Sequence, residues 1–235
     1  MTAHPETGQH SGLPSGMLPA GLAAFALTWA TALLLGHQQP LLAPALFLPA
    51  FAAVAWLTQR HYPHVRFGAA NTITLLRVSL TVALLVSVWI GPVTGWTVAG
   101  VAAVALALDG VDGWLARRQG LTSGFGARFD MEVDAALALI LALHALRGDP
   151  VGPEIMVLGV MRYLFIGTAC LQPWLAAPLY PSWRRKAICV LQIATLIALQ
   201  PPIIPDGVGI ILARIAAAAL IWSFLRDILW LRAQR

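Results

Sequence analysis

Residues 109–134 read DGVDGWLARRQGLTSGFGARFDMEVD, and they hold five carboxylates, Asp109, Asp112, Asp130, Glu132 and Asp134, of the ten in the whole chain. The stretch lies in strongly apolar sequence, where an ionised carboxylate is costly unless a cation is close by. Such a cluster therefore marks a functional site. Residues three and four apart share a helix face, so Asp109, Asp112, Gly113 and Ala116 fall on one stripe with Arg117 on its flank, while Gly126, Asp130 and Asp134 form a second stripe. A short connection separates the two helices. Paired antiparallel, they bring four carboxylates together, and four such groups repel one another unless a cation sits among them. Oxygen donors without His or Cys favour Mg2+, Mn2+ or Ca2+ over zinc. The small residues beside the acids let a flat group or another helix approach the backbone, and the adjacent arginine supplies a phosphate partner. Glu132 points away from Asp130 and Asp134 on a helix and reads as a polar or interfacial contact.

Around this stretch the chain is 59% hydrophobic and 11% charged, with a mean hydropathy of +0.76. Soluble domains carry about a quarter charged residues, so this is the composition of an integral membrane protein. Each apolar run of about twenty residues can span the bilayer as a helix, the element that satisfies its own backbone hydrogen bonds in lipid. Eight such spans are predicted, near residues 18–36, 41–58, 72–90, 95–116, 129–146, 153–174, 187–204 and 207–226. The breakers Pro40, Gly91-Pro92, Gly148 to Pro150 and Pro201-Pro202 separate them.

Basic residues then set an orientation, because short cytoplasmic loops accumulate Lys and Arg. Arg60, Arg66, Arg117, Arg118, Arg128, Arg184, Arg185, Lys186, Arg226, Arg232 and Arg235 all fall on one side if the helices alternate, and Arg147 alone falls on the other. The expectation is that both termini and the Asp cluster are cytoplasmic. The net charge of +5 reads as anchorage to anionic headgroups and not as a nucleic-acid surface, since the basic residues are split among separate loops. Residues 1–17 contain no Lys or Arg and read as a flexible cytoplasmic tail without a signal peptide. Cys170 and Cys189 lack any metal-ligand spacing and read as inert buried thiols, and the six histidines form no HExxH motif. Arg162 and Arg214 lie inside predicted spans, where they must pair, face a polar cavity or snorkel.

The complete spacing D-x2-D-G-x2-A-R-x8-G-x3-D-x3-D, on Asp109, Asp112, Gly113, Ala116, Arg117, Gly126, Asp130 and Asp134, resembles the signature of the CDP-alcohol phosphotransferases. Asn71, Thr74 and Arg77 add the N-x2-T-x2-R pattern that often opens the first core helix of that family. The resemblance implies an all-α polytopic membrane helix bundle with a six-helix catalytic core at 67–235. Residues 18–66 would then be two extra transmembrane helices with a basic linker, suited to packing or partner contact. It also implies an enzyme that moves a phosphatidyl or similar group from a CDP-alcohol to an acceptor hydroxyl and releases CMP. Asp109, Asp112 and Asp130 would bind Mg2+ or Mn2+, with two ions implied. Asp134 would share the second ion or act as the base. Gly113, Ala116 and Gly126 would admit the cytidine, and Arg117 would contact phosphate. A homodimer in a bacterial inner (cytoplasmic) membrane is the implied setting.

The segment PSWRRK resembles the basic stretch of members that use phosphorylated acceptors, so Arg184, Arg185 and Lys186 are candidate acceptor ligands, with positive-inside anchoring as the other reading. Ala135 follows Asp134 where phosphatidylglycerophosphate synthases frequently have Lys. The expected reaction is phosphatidyl transfer from CDP-diacylglycerol to a small polar alcohol, such as glycerol 3-phosphate or inositol phosphate. The alternatives are a CDP-choline or CDP-ethanolamine type enzyme acting on diacylglycerol and, from a different class, a divalent-cation transporter. Against the transporter stand the small-residue positions and Arg117, for which a cation path has no use.

Overall fold

The computed structural model describes residues 12–90, 93–148, 152–177, 179–180 and 182–234; at 112, 114, 116 and 117 the backbone alone is described. Among the described residues eight α-helices follow one another: α1 (Met17–Leu34), α2 (Leu42–His61), α3 (Gly68–Trp89), α4 (Gly95–Gln119), α5 (Gly124–Arg147), α6 (Met156–Leu171), α7 (Trp183–Ala198) and α8 (Asp206–Ala233). Short 3-10 turns at Pro153–Ile155 and Pro173–Ala176 flank α6. Among the described residues there is no strand, and a single parallel bridge joins Ser15 to Arg66. The fold is an all-α polytopic membrane bundle.

Each predicted span has a helix, and the differences lie at the ends. The seventh starts earlier, at Trp183, and stops at Ala198, because Pro201 and Pro202 cannot continue it. At 16 residues α7 is about 24 Å long, short of a bilayer core of about 30 Å. Length and composition qualify α1, α2, α3, Pro153–Leu171 and α8 as membrane-crossing. In α4 the apolar stretch among the described residues is Gly95–Val111, and it already includes Asp109. Pro49 lies inside α2, and the helix runs on through it to His61.

The chain forms two compact units. The first holds α1, α2 and α3 with Ala107–Val133; the second holds α4 up to Leu106 and everything from Asp134 onward. In lipid there is no hydrophobic force to drive helices together, so close packing of small residues must do it. Met17, Ala20 and Ala24 of α1, Phe47 and Val54 of α2, and Phe67 and Leu75 at α3 make one buried cluster, with Phe51 and Phe129 packed against it. Gly21 lets α2 approach. A Cβ there would stand 2.6 Å from the Phe51 ring. Gly21→Leu is therefore expected to separate α1 from α2 and to lower the yield of folded protein several-fold, read by size-exclusion chromatography in detergent; a monodisperse variant at normal yield would contradict this packing.

The second unit uses the same device. A Cβ on Gly159 would meet the Ala142 Cβ at 2.9 Å and the Leu139 Cα at 3.0 Å, so α6 lies close on α5. Carboxamides tie helices as well: Gln200 donates to the carbonyl of Leu141 at 3.1 Å, and Gln192 donates to that of Leu158. Arg214 meets Glu154 at 3.1 Å, both at least partly exposed. The intramembrane arginine of α8 is thus paired, reaching back to the turn that precedes α6.

Candidate active site

The site is built on a polar stripe of α3. Asn71, Thr74 and Arg77 recur every three residues, and all are buried; Arg77 is fully so, at 0% exposure. Asn71 and Thr74 each donate to a carbonyl one turn back. The Asn71 carboxamide donates to the carbonyl of Phe67 at 2.7 Å, and the Thr74 hydroxyl to that of Ala70 at 3.1 Å. Arg77 carries in addition a permanent charge, which carbonyl oxygens do not neutralise and carboxylates do. Arg77 is held by carboxylates from two other helices, Asp109 of α4 at 3.0 Å and Asp130 of α5. That clamp knits three helices of the first unit at one point.

Asp134 follows Asp130 by one turn of the unbroken helix α5. Asp109, Asp130 and Asp134 each offer a carboxylate oxygen, and these lie within 4.8 Å of one another. Opposed ligands of a Mg2+ or Ca2+ ion stand about 4 to 5 Å apart, so the spacing and the all-oxygen donor set fit one hard divalent cation. The thiol of Cys189, on α7, donates to Asp134 Oδ2 at 3.7 Å. Cys189 is therefore no inert bystander of the second unit; it places α7 against the carboxylate.

Asp112, Ala116 and Arg117 are on α4, and their side chains lie outside the described residues. Gly113 is half-buried on the same helix. Gly126 sits in the first turn of α5, where its amide donates to Ser123 Oγ at 3.0 Å, an N-cap bond. A Cβ at Gly126 would approach Asn71 Oδ1 to 3.1 Å. One reason for a glycine here is the packing of α5 on α3. Glu132 is exposed.

The basic segment of α7 is partly committed elsewhere. Arg184 bonds Asp227 at 2.5 Å and Ser223 Oγ at 2.6 Å; Arg185 reaches the Tyr180 carbonyl and stands 3.5 Å from Asp227. Lys186 is exposed. Asp227 is 4% exposed on α8, next to Arg226 in sequence, and sequence reasoning passed over it. It falls just past the predicted span 207–226, and its partner Arg184 is 43 residues away on α7, so the pairing needed the fold. Arg77 was read only as part of a helix-opening pattern. Its role as counter-cation of the Asp cluster needed the fold.

The family model described as CDP-alcohol phosphatidyltransferase matches residues 67–225, more than half of the chain. No curated protein and no solved structure matches the chain. The match takes in the Arg77 clamp and all three clustered carboxylates, and its members are transferases that carry a phosphatidyl group from a CDP-alcohol to an acceptor, generally with a divalent cation. The chain belongs to the CDP-alcohol phosphatidyltransferase family.

Proposed function

We propose that the protein transfers a phosphatidyl group from CDP-diacylglycerol to a small polar alcohol, a phosphorylated polyol such as glycerol 3-phosphate or inositol phosphate. The observation that carries this reading is the carboxylate cluster of Asp109, Asp130 and Asp134 inside a complete family signature. Asp109, Asp112, Asp130 and Asp134 are the residues to hold Mg2+ or Mn2+, as two ions. The cations would supply positive charge to the donor's pyrophosphate. Asp134 takes the proton of the acceptor hydroxyl. The acceptor oxygen bonds to the phosphorus that carries diacylglycerol, the bond from that phosphorus to the CMP oxygen breaks, and CMP leaves with the electron pair. Gly113, Ala116 and Gly126 leave room for the cytidine, and Arg117 contacts phosphate.

For the acceptor, the position of α7 is the support. Cys189 touches Asp134, and Arg185 and Lys186 precede it by one turn of the same helix. They are the proposed ligands of an acceptor phosphate. Arg184, bonded to Asp227 and Ser223, holds α7 to α8 and orients the other two. The active site and both termini are assigned to the cytoplasmic face of a bacterial inner membrane, in a homodimer whose catalytic core is 67–235.

Purified protein incubated with CDP-diacylglycerol, Mg2+ and a panel of labelled acceptors is expected to give a new phospholipid, identified by mass spectrometry, and CMP. EDTA should abolish the product and Mg2+ or Mn2+ restore it. In sealed vesicles, a membrane-impermeant acceptor should be consumed only when the cytoplasmic face is outward. Transfer that persists in metal-free protein would overturn the metal reading, and transfer from the opposite face would reverse the orientation.

A further inference from the structure

Tyr62 is the C-cap of α2 and lies outside the matched residues 67–225. Its hydroxyl contacts the carbonyls of Arg66 and Phe67, each at 3.0 Å, closing the linker into α3. Its ring meets the edge of Phe125 with centroids 5.7 Å apart, and Phe125 stacks on Phe129 at 5.9 Å. Phe129 directly precedes Asp130 and packs against the α1–α2–α3 core. We infer that Tyr62 is a positioning residue for the carboxylate site, seating the first turns of α5 through Phe125 and Phe129 and so setting where Asp130 stands.

The local sequence explains why α5 needs such a seat. Its first turn contains Gly124 and Gly126, and each glycine costs about 1 kcal/mol relative to alanine in a helix. Phe125, between them, is the anchor of a weak turn. The linker is braced from its other sides too. Phe67 N–H donates to the Ser15 carbonyl at 3.1 Å and Ser15 N–H to that of Val65 at 2.8 Å. Ala69 N–H donates to Gln119 Oε1 at 3.1 Å, tying the end of α4 to the start of α3. Burial raises the Tyr62 phenol pKa, against an Asn71 hydrogen bond that lowers it, so the hydroxyl remains protonated and a donor at neutral pH. These contacts make α1 and α2 part of the scaffold around Asp130.

The inference rests on the carboxylates binding a divalent cation, so its test reads the cation directly. Mn2+ binding to the purified full-length chain is followed by electron paramagnetic resonance, beside steady-state transfer. In Tyr62→Ala, Mn2+ binding is expected to weaken about tenfold and kcat to fall with it at unchanged KM for the donor, a modest share of what a 1 Å misplacement can cost. Tyr62→Phe, which keeps the ring, should recover all but about two- to threefold. Leu22→Ala, on the lipid-facing side of α1, should bind as wild type. A folded Tyr62→Ala with wild-type Mn2+ affinity overturns the inference. If that variant does not fold, Phe125→Leu carries the test, and wild-type affinity there overturns it equally. A wild type that binds Mn2+ but transfers nothing refutes the reaction alone, with the Tyr62 comparison still decisive; one that binds no Mn2+ refutes both.

Discussion

Asp130→Asn in the full-length chain is expected to lower transfer by about two to three orders of magnitude, the scale of losing one preorganised electrostatic contact at a reacting centre, without loss of folded protein. The substitution keeps an oxygen that can accept from Arg77 and removes the charge. Asp130 is about a third exposed, and Arg77 retains Asp109 at 3.0 Å, so the clamp survives in part. Activity per folded molecule is the quantity to measure, with the Mg2+ concentration for half-activation beside it. An Asp130→Asn enzyme within a few-fold of wild type at low Mg2+ would remove Asp130 from the metal site.

Arg77→Met is expected to act the other way round, on stability before chemistry. It leaves Asp109 and Asp130 facing each other without the cation that both now contact; breaking a buried ion pair from one side costs about 3–5 kcal/mol, and the partial exposure of both carboxylates puts the loss here at the lower end of that range. That is a large part of the roughly 5–15 kcal/mol that holds a typical protein folded. Thermal unfolding in detergent, in the absence of divalent ions, should therefore show a marked loss. Mn2+ should return part of it, because a ligand that binds only the folded state at about a hundred times its Kd adds about 2.7 kcal/mol. Arg77→Lys, which keeps a charge but not the planar fork, should fall between the two. An Arg77→Met protein as stable as wild type without metal would show that the clamp carries little of the fold.

The two substitutions separate functions that meet at one point. Arg77 is the fully buried member, and its partners come from helices distant in sequence, 53 residues away in the case of Asp130. Asp130 and Asp134 are half-buried and, with Asp109, form a cluster that could hold a cation.

Much of this was legible before any coordinates. Spans follow from runs of apolar residues, and the carboxylate stripes follow from three- and four-residue spacing, both of which are local properties of a helix. Asp109, Asp130 and Asp134 converge as that spacing predicts. Which face of a helix meets which neighbour is a different matter. In a bilayer the lipid-facing and the protein-facing sides are both apolar, so periodicity does not mark the contact side as it would in water. Contact alone could therefore assign Asp227 to Arg184, the thiol of Cys189 to Asp134, and Arg77 to the two carboxylates. The same holds for α1 and α2. Their apolar composition, charged only at Arg60 in the last turn of α2, indicates helices in lipid, and the packing of Met17, Ala20, Ala24 and Phe47 with Phe67 and Leu75 joins them to α3. Charge and breakers along the chain say where helices begin and end; the azimuth at which each one packs depends on side chains far apart in sequence, and it is settled only when they meet.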